Sequence, residues 1–120
     1  MKLPRIGIAA VLLAAMAVHG TVRAHATLQG ATPAKDAVVT APKEITLQFN
    51  ERLEPAFSSA RVVDSAGKAV GTDKAALDPA NPAILKLAVP ALAAGRYRVE
   101  YAVVGHDGHR RKGDYSFTVK

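Results

Sequence analysis

The sequence predicts an all-β sandwich, and three observations carry that reading. Short runs of alternating apolar and polar residues recur along the chain. Clusters of Pro, Gly, Asp and Asn separate them. The Ala-rich stretches that would compete as helix, Ala75-Ala76 and Ala91 to Ala94, are short and bounded by Pro or Gly, so they read as loops or single turns.

The elements follow in order. Ile45-Thr46-Leu47-Gln48-Phe49 alternates as a strand with one buried and one wet face does. Ala60 to Val63 and Ile84 to Val89 read as strands as well. Tyr97, Val99, Tyr101 and Val103 interleave with Arg96, Arg98, Glu100 and Ala102, which is the clearest strand in the sequence. Tyr115 to Val119 closes the chain in the same way. Turn clusters fall at Thr32 to Asp36, Asp64 to Lys68, Asp78 to Pro82 and Gly105 to Gly113. Leu92-Ala93-Ala94-Gly95-Arg96-Tyr97 has the form of an immunoglobulin-like corner, in which a Tyr hydroxyl at the start of a strand bonds back to upstream backbone. Equally, Tyr97 reads as a plain core aromatic.

A chain of 120 residues holds one compact domain and no second core. The net charge of +6 would suggest a nucleic-acid or membrane partner if it were spread evenly. It is not. Lys2, Arg5 and Arg23 lie in the first 24 residues, where there is no acid, and the remaining 96 residues carry 13 basic and 10 acidic side chains. That balance is ordinary for a soluble domain; no nucleic-acid partner is expected, and no docking patch stands out. Cysteine is absent, which removes disulfides and thiolate sites. Both methionines, Met1 and Met16, fall in the leading segment, so any metal held by the rest of the chain is bound by nitrogen and oxygen.

The leading segment has the three parts of a secretory signal: a basic start at Met1 to Arg5, an apolar run from Ile6 to Val18, and Val22-Arg23-Ala24 with small residues at the first and third positions of the cut. The apolar run is shorter than the roughly 20 residues a bilayer requires, which argues against a membrane anchor. Residues 1–24 are therefore expected to leave, with residues 25–120 forming the mature domain, not inserted in the membrane. His19 goes with the signal, and His25 becomes the first residue.

That position gives His25 a particular chemistry. Its freed α-amine and its own Nδ1 close one six-membered chelate ring on a metal. An α-amine with a pKa of about 7.7–8.0 loses its proton far more readily than a lysine near 10.4. A second imidazole and a carboxylate would complete a square, and tetragonal sites of nitrogen and oxygen favour Cu(II); zinc prefers a tetrahedron. The partners stand in Gly105-His106-Asp107-Gly108-His109. In an extended segment residues two apart face the same way, so Asp107 and His109 converge, with no side chain on Gly108 to obstruct them and His106 pointing elsewhere unless the chain bends at a glycine. Without His25, this triplet is ordinary turn chemistry.

Several motifs in order give the chain a family resemblance. His25-Ala26-Thr27-Leu28, Thr32-Pro33-Ala34, Ala41-Pro42, Leu47-Gln48-Phe49-Asn50-Glu51, Leu92 to Val99, Tyr101 to His109, Gly113 and Phe117-Thr118-Val119 together resemble the CopC family of periplasmic copper-resistance proteins over nearly the whole mature length. The resemblance implies a small immunoglobulin-like β-sandwich with Greek-key connections and a periplasmic location. It implies one Cu(II) per chain, held by His25, Asp107 and His109. Its acidic residue near the site falls at Glu51, as a weak axial ligand, an outer acceptor that orients a ligand, or a solvated charge. His106 departs from the family pattern, in which a small polar residue is more usual. Some CopC-like proteins carry a Met-rich Cu(I) site, which a domain without Met lacks.

These expectations define a non-catalytic copper binder that sequesters Cu(II) or passes it to a CopD-type inner-membrane importer. The competing readings are a copper oxidase with a similar N-terminal histidine brace, as in lytic polysaccharide monooxygenases, and a metal-free sandwich for adhesion. The first wants a platform of exposed aromatics, and the chain has no Trp, three Tyr and three Phe. Hydrolysis finds no Gly-x-Ser-x-Gly nucleophile motif and no phosphate-binding loop.

Overall fold

The computed structural model describes residues 2–3 and 26–120. The segment read as an export signal, and His25 with it, lies outside the described residues.

Among the described residues nine strands make two sheets. They are β1 (Leu28–Thr32), β2 (Val38–Val39), β3 (Glu44–Phe49), β4 (Ser59–Val63), β5 (Ala69–Val70), β6 (Ala76–Asp78), β7 (Asn81–Ala88), β8 (Gly95–Val104) and β9 (Arg110–Val119). The first sheet runs β1-β3-β7-β6 and the second β2-β9-β8-β4-β5. After β3 the chain crosses to the second sheet for β4 and β5, returns for β6 and β7, and crosses again for β8 and β9. All pairings are antiparallel except that of β2 with β9. The all-β sandwich expected from the alternation is the fold found.

The alternating residues meet between the sheets. Ile45, Leu47 and Phe49 of β3 and Leu85 and Leu87 of β7 face Tyr97, Val99 and Val103 of β8 and Tyr115, Phe117 and Val119 of β9, all buried. Phe49 meets Tyr101 edge-on at 5.5 Å, and Tyr97 stacks on Phe117 at 5.7 Å. With no disulfide, burial of such side chains, each contributing roughly 1.5–3 kcal/mol, holds the domain.

Tyr97 fills both of its expected roles. It is buried in the core, and its hydroxyl donates to the carbonyl of Ala93 at 2.6 Å. Tyr97→Phe keeps the packing and loses that bond, which predicts a loss of about 1 kcal/mol and a fall of about 4–8 °C in the thermal midpoint. A thermal melt followed by circular dichroism checks it.

Three expectations need correction. Arg110 to Gly113 is strand, so the turn assigned to Gly105 to Gly113 shrinks to 105–109; this stretch has no apolar residue to alternate, yet ten successive pairs from Gly95↔Val119 to Val104↔Arg110 hold it in register with β8. Asn81 and Pro82 likewise open β7, leaving Pro79-Ala80 as the turn; Pro lacks an N–H and is tolerated near a strand's start. Ala76 lies in β6, where Leu77 pairs with Leu85, so propensity yields there to the neighbouring strand. The stretch Ala91 to Ala94 is loop, as expected.

One end of the sandwich gathers the residues of chemical interest. Leu53, beyond β3, bridges Gly105, beyond β8. Glu54 N–H donates to Val104 O at 2.8 Å, and Val104 N–H donates to the buried Ser58 hydroxyl at 3.2 Å. The segment after β3 is thereby laced to the root of the β8–β9 hairpin.

Candidate metal centre

The loop joining β8 to β9 is a hairpin turn of five residues, Gly105 to His109. Gly108 N–H donates to Gly105 O at 2.9 Å and closes it. Gly108 has φ +81°, the left-handed region that L side chains avoid, and a Cβ there would touch nothing. Its glycine therefore serves backbone conformation, where the sequence reading assigned it to steric clearance. The convergence of Asp107 and His109 stands, but it too has another cause: the segment is turned, not extended. Asp107 Oδ1 accepts the N–H of His109 at 3.0 Å, an Asx turn, and His109 Nδ1 approaches Asp107 Oδ2 at 3.1 Å. One local fold of the chain thus brings a carboxylate and an imidazole together, with the His109 side chain about half exposed (49%) and that of Asp107 26% exposed.

Glu51 sits beside this loop's root. A Cβ built on Gly105 would overlap the Glu51 carboxylate and come within 3.3 Å of the Ala26 Cβ, so glycine is what admits the carboxylate there. Its Oε1 is buried and finds no hydrogen-bond partner among the described residues. An unmatched buried carboxylate oxygen is costly, about 1–3 kcal/mol or more, and points to a donor that completes the site. Ala26, fully buried, packs against the same spot. Thr27 N–H donates to Asn50 Oδ1 at 2.7 Å while Asn50 N–H donates to Thr27 O at 3.0 Å, a reciprocal pair that fixes the start of the described chain next to Glu51.

His106 turns to the other wall. Its N–H donates to Arg52 O at 2.8 Å, and an Arg52 Nη2 donor lies 2.9 Å from its Nδ1. This agrees with the expectation that His106 points away from Asp107 and His109. Arg52 was not singled out in the sequence: its partner is 54 residues away, and no local pattern links them. Asn50 is read from the sequence only as a motif member and Gly105 only as a motif member and turn residue, and their contacts are long-range.

Among the described residues no group of three or more His, Asp or Glu forms a metal cluster. Asp107 and His109 are a carboxylate–imidazole pair, and Glu51 does not join them in a three-membered cluster. The donor chemistry, one carboxylate and one imidazole beside an unmatched buried acidic oxygen, suits a divalent ion that accepts nitrogen and oxygen, provided that further donors come from elsewhere.

These features define a class: an immunoglobulin-like β-sandwich with a carboxylate–imidazole pair on the loop at one end. Comparison with known proteins narrows it, since residues 28–120 match the CopC domain. The chain belongs to the CopC family. It is 38% identical over 113 residues to protein YobA of Escherichia coli K12, covering 91% of this chain and 90% of that one. The crystal structure of CopC from Methylosinus trichosporium OB3b superposes with a TM-score of 0.76 at 40% identity, over 80% of this chain and 94% of that one. PcoC, a methionine-rich copper resistance protein from Escherichia coli, superposes with a TM-score of 0.73 at 35% identity, over 81% of this chain and its whole length.

Proposed function

We propose that this chain is a periplasmic copper-binding protein of copper homeostasis, holding one Cu(II) through His25, Asp107 and His109. CopC-family proteins are copper-binding resistance proteins, not enzymes, and the relatives named for copper resistance match this domain along its length. The observation that carries the reading is the meeting, at one end of the sandwich, of the Asp107–His109 pair and the buried entry of the chain at Ala26. Ala26, which follows His25 directly in the sequence, packs at the spot where Gly105 admits the Glu51 carboxylate, and this supports the reading.

Removal of residues 1–24 gives His25 an α-amine. Amine and imidazole then grip the ion from one residue, and Asp107 and His109 supply the other two donors. Glu51 acts as the outer acceptor, a role its buried, unmatched Oε1 supports: it takes a hydrogen bond from the terminal residue and orients it. Beyond Ala24 there is no Met, in contrast to methionine-rich PcoC, which supports a carrier of Cu(II) without a second Cu(I) site. Copper held at an exposed loop can be sequestered there or passed to an inner-membrane importer of the CopD type.

Titrating the protein that begins at His25 with Cu(II) tests the proposal. Uptake stops at one equivalent, and electron paramagnetic resonance gives a tetragonal signal with nitrogen splitting. Free copper at about 100 times the dissociation constant stabilises the fold by about 2.7 kcal/mol. No uptake sinks the reading in favour of a metal-free sandwich, and oxidised oligosaccharides formed from chitin or cellulose with copper and a reductant sink it in favour of an oxidase.

A further inference from the structure

The outer face of the second sheet divides into two halves of different charge. In the half away from the 105–109 loop, charges answer one another. Arg61 bonds Glu100 at 3.2 Å, Arg98 bonds Glu100 at 3.1 Å and approaches Asp114 at 3.8 Å, and Arg96 approaches Asp36 at 3.7 Å. The half next to the loop differs. Register places Arg110 opposite Val104, and Lys112 opposite Ala102, which has Ser59 on its other side. Arg110 and Lys112 are exposed, and neither has an acidic partner among the described residues; Arg111, opposite the buried Val103, alternates to the other side of the sheet. Arg52, also exposed, adds a third cation at this end, its guanidinium on the His106 ring instead of a carboxylate.

Shape accompanies charge. The small side chain of Ala102 leaves a depression of about 610 Å³ beside Lys112, and its two acids, Glu100 and Asp114, are those already matched to Arg61 and Arg98. Phe57, on the turn that leads into β4, is 62% exposed, an unusual position for a large apolar side chain and a common one for an interface anchor. The sequence conceals this face: basic residues in a near-neutral domain look ordinary until the register sets Arg110 and Lys112 beside the 105–109 loop, while Arg61, Arg96 and Arg98 on the rest of the sheet meet acids.

We propose that this half-face is a docking surface for an acidic polypeptide, whose Asp and Glu side chains meet Arg110 and Lys112 and whose chain seats over Ala102, next to His109. A bounded concave patch with unanswered cations complements a protein partner bearing carboxylates; a flat anionic bilayer has no use for the hollow. The proposal rests on the copper reading only for what is handed across. The contact itself requires no metal.

The test uses metal-free protein labelled with nitrogen-15 and a short synthetic peptide of alternating Glu and Ser. Amide shifts gather at Ser59, Ala102 to Val104 and Arg110 to Lys112, and binding weakens as salt shortens the Debye length from about 30 Å to about 10 Å. Arg110→Glu and Lys112→Glu each weaken binding about tenfold or more. Lys43→Glu, the same charge change just before β3 of the other sheet, weakens it less than about twofold. An equal loss with Lys43→Glu, or shifts elsewhere, overturns the proposal. So does binding to phosphatidylglycerol vesicles, dependent on Arg110 and Lys112, without binding to the peptide. Cu(II) uptake by the same proteins is measured separately, so failure of the copper site and failure of the docking face are read on different axes.

Discussion

His109→Ala is expected to lower Cu(II) affinity by more than about 100-fold, which is about 2.7 kcal/mol of binding free energy, while leaving the fold's stability within about 0.5 kcal/mol. The two readouts separate because His109 is half exposed on a loop: in the proposed site its ring would give the ion a donor, and it contributes little to the core. Losing it also leaves Asp107 without the imidazole that meets its Oδ2. His106→Ala provides the contrast. That ring is occupied by Arg52, and its removal is expected to change copper affinity by only a few fold. A competition titration against a chelator of known affinity, alongside urea unfolding of each variant, checks both statements. Equal losses for the two histidines would mean that the loop, and not the particular imidazole, sets the affinity.

Phe117→Ala carries the largest expected effect on stability, a loss of about 3–5 kcal/mol. Phe117 is fully buried, stacks on Tyr97 and pairs with it across β8 and β9. A domain of this size has about 5–14 kcal/mol in total, so the loss removes a large share of the margin. The same two strands carry the 105–109 hairpin at their other end, and copper bound at the proposed site would stabilise the folded state by mass action. Urea unfolding is thus expected to give a sharply lower midpoint for the metal-free variant, and saturating Cu(II) to restore part of it. Recovery of the midpoint with copper would link core and site; a midpoint near that of the unaltered protein would show that the cavity is filled by relaxation.

Much of this was legible in the sequence because the main strands bury one face. Ile45, Leu47 and Phe49 of β3, and Tyr97, Val99 and Val103 of β8, announce themselves by alternation. Strands that take their place from a neighbour do not. β2 and β5 are two residues long, and the first four residues of β9 are polar or glycine, so only pairing defines them. At the site, the residue types in Gly105 to His109 were readable, and so was the meeting of Asp107 with His109, but the extended geometry invoked for it was not the geometry found: an Asx turn and a left-handed glycine achieve the same convergence. The contacts of Glu51 with Gly105, Asn50 with Thr27, and Arg52 with His106 join residues 23 to 54 apart, and no periodicity records them.

The central claim is that the histidine freed by processing binds copper through two of its own nitrogens. It is tested most directly by Cu(II) titration of two proteins that differ by a single glycine placed ahead of His25. The extension turns the amine into an amide and leaves every side chain in place. The protein that starts at the histidine is predicted to bind more than about 100-fold tighter; the same affinity for both would contradict the account.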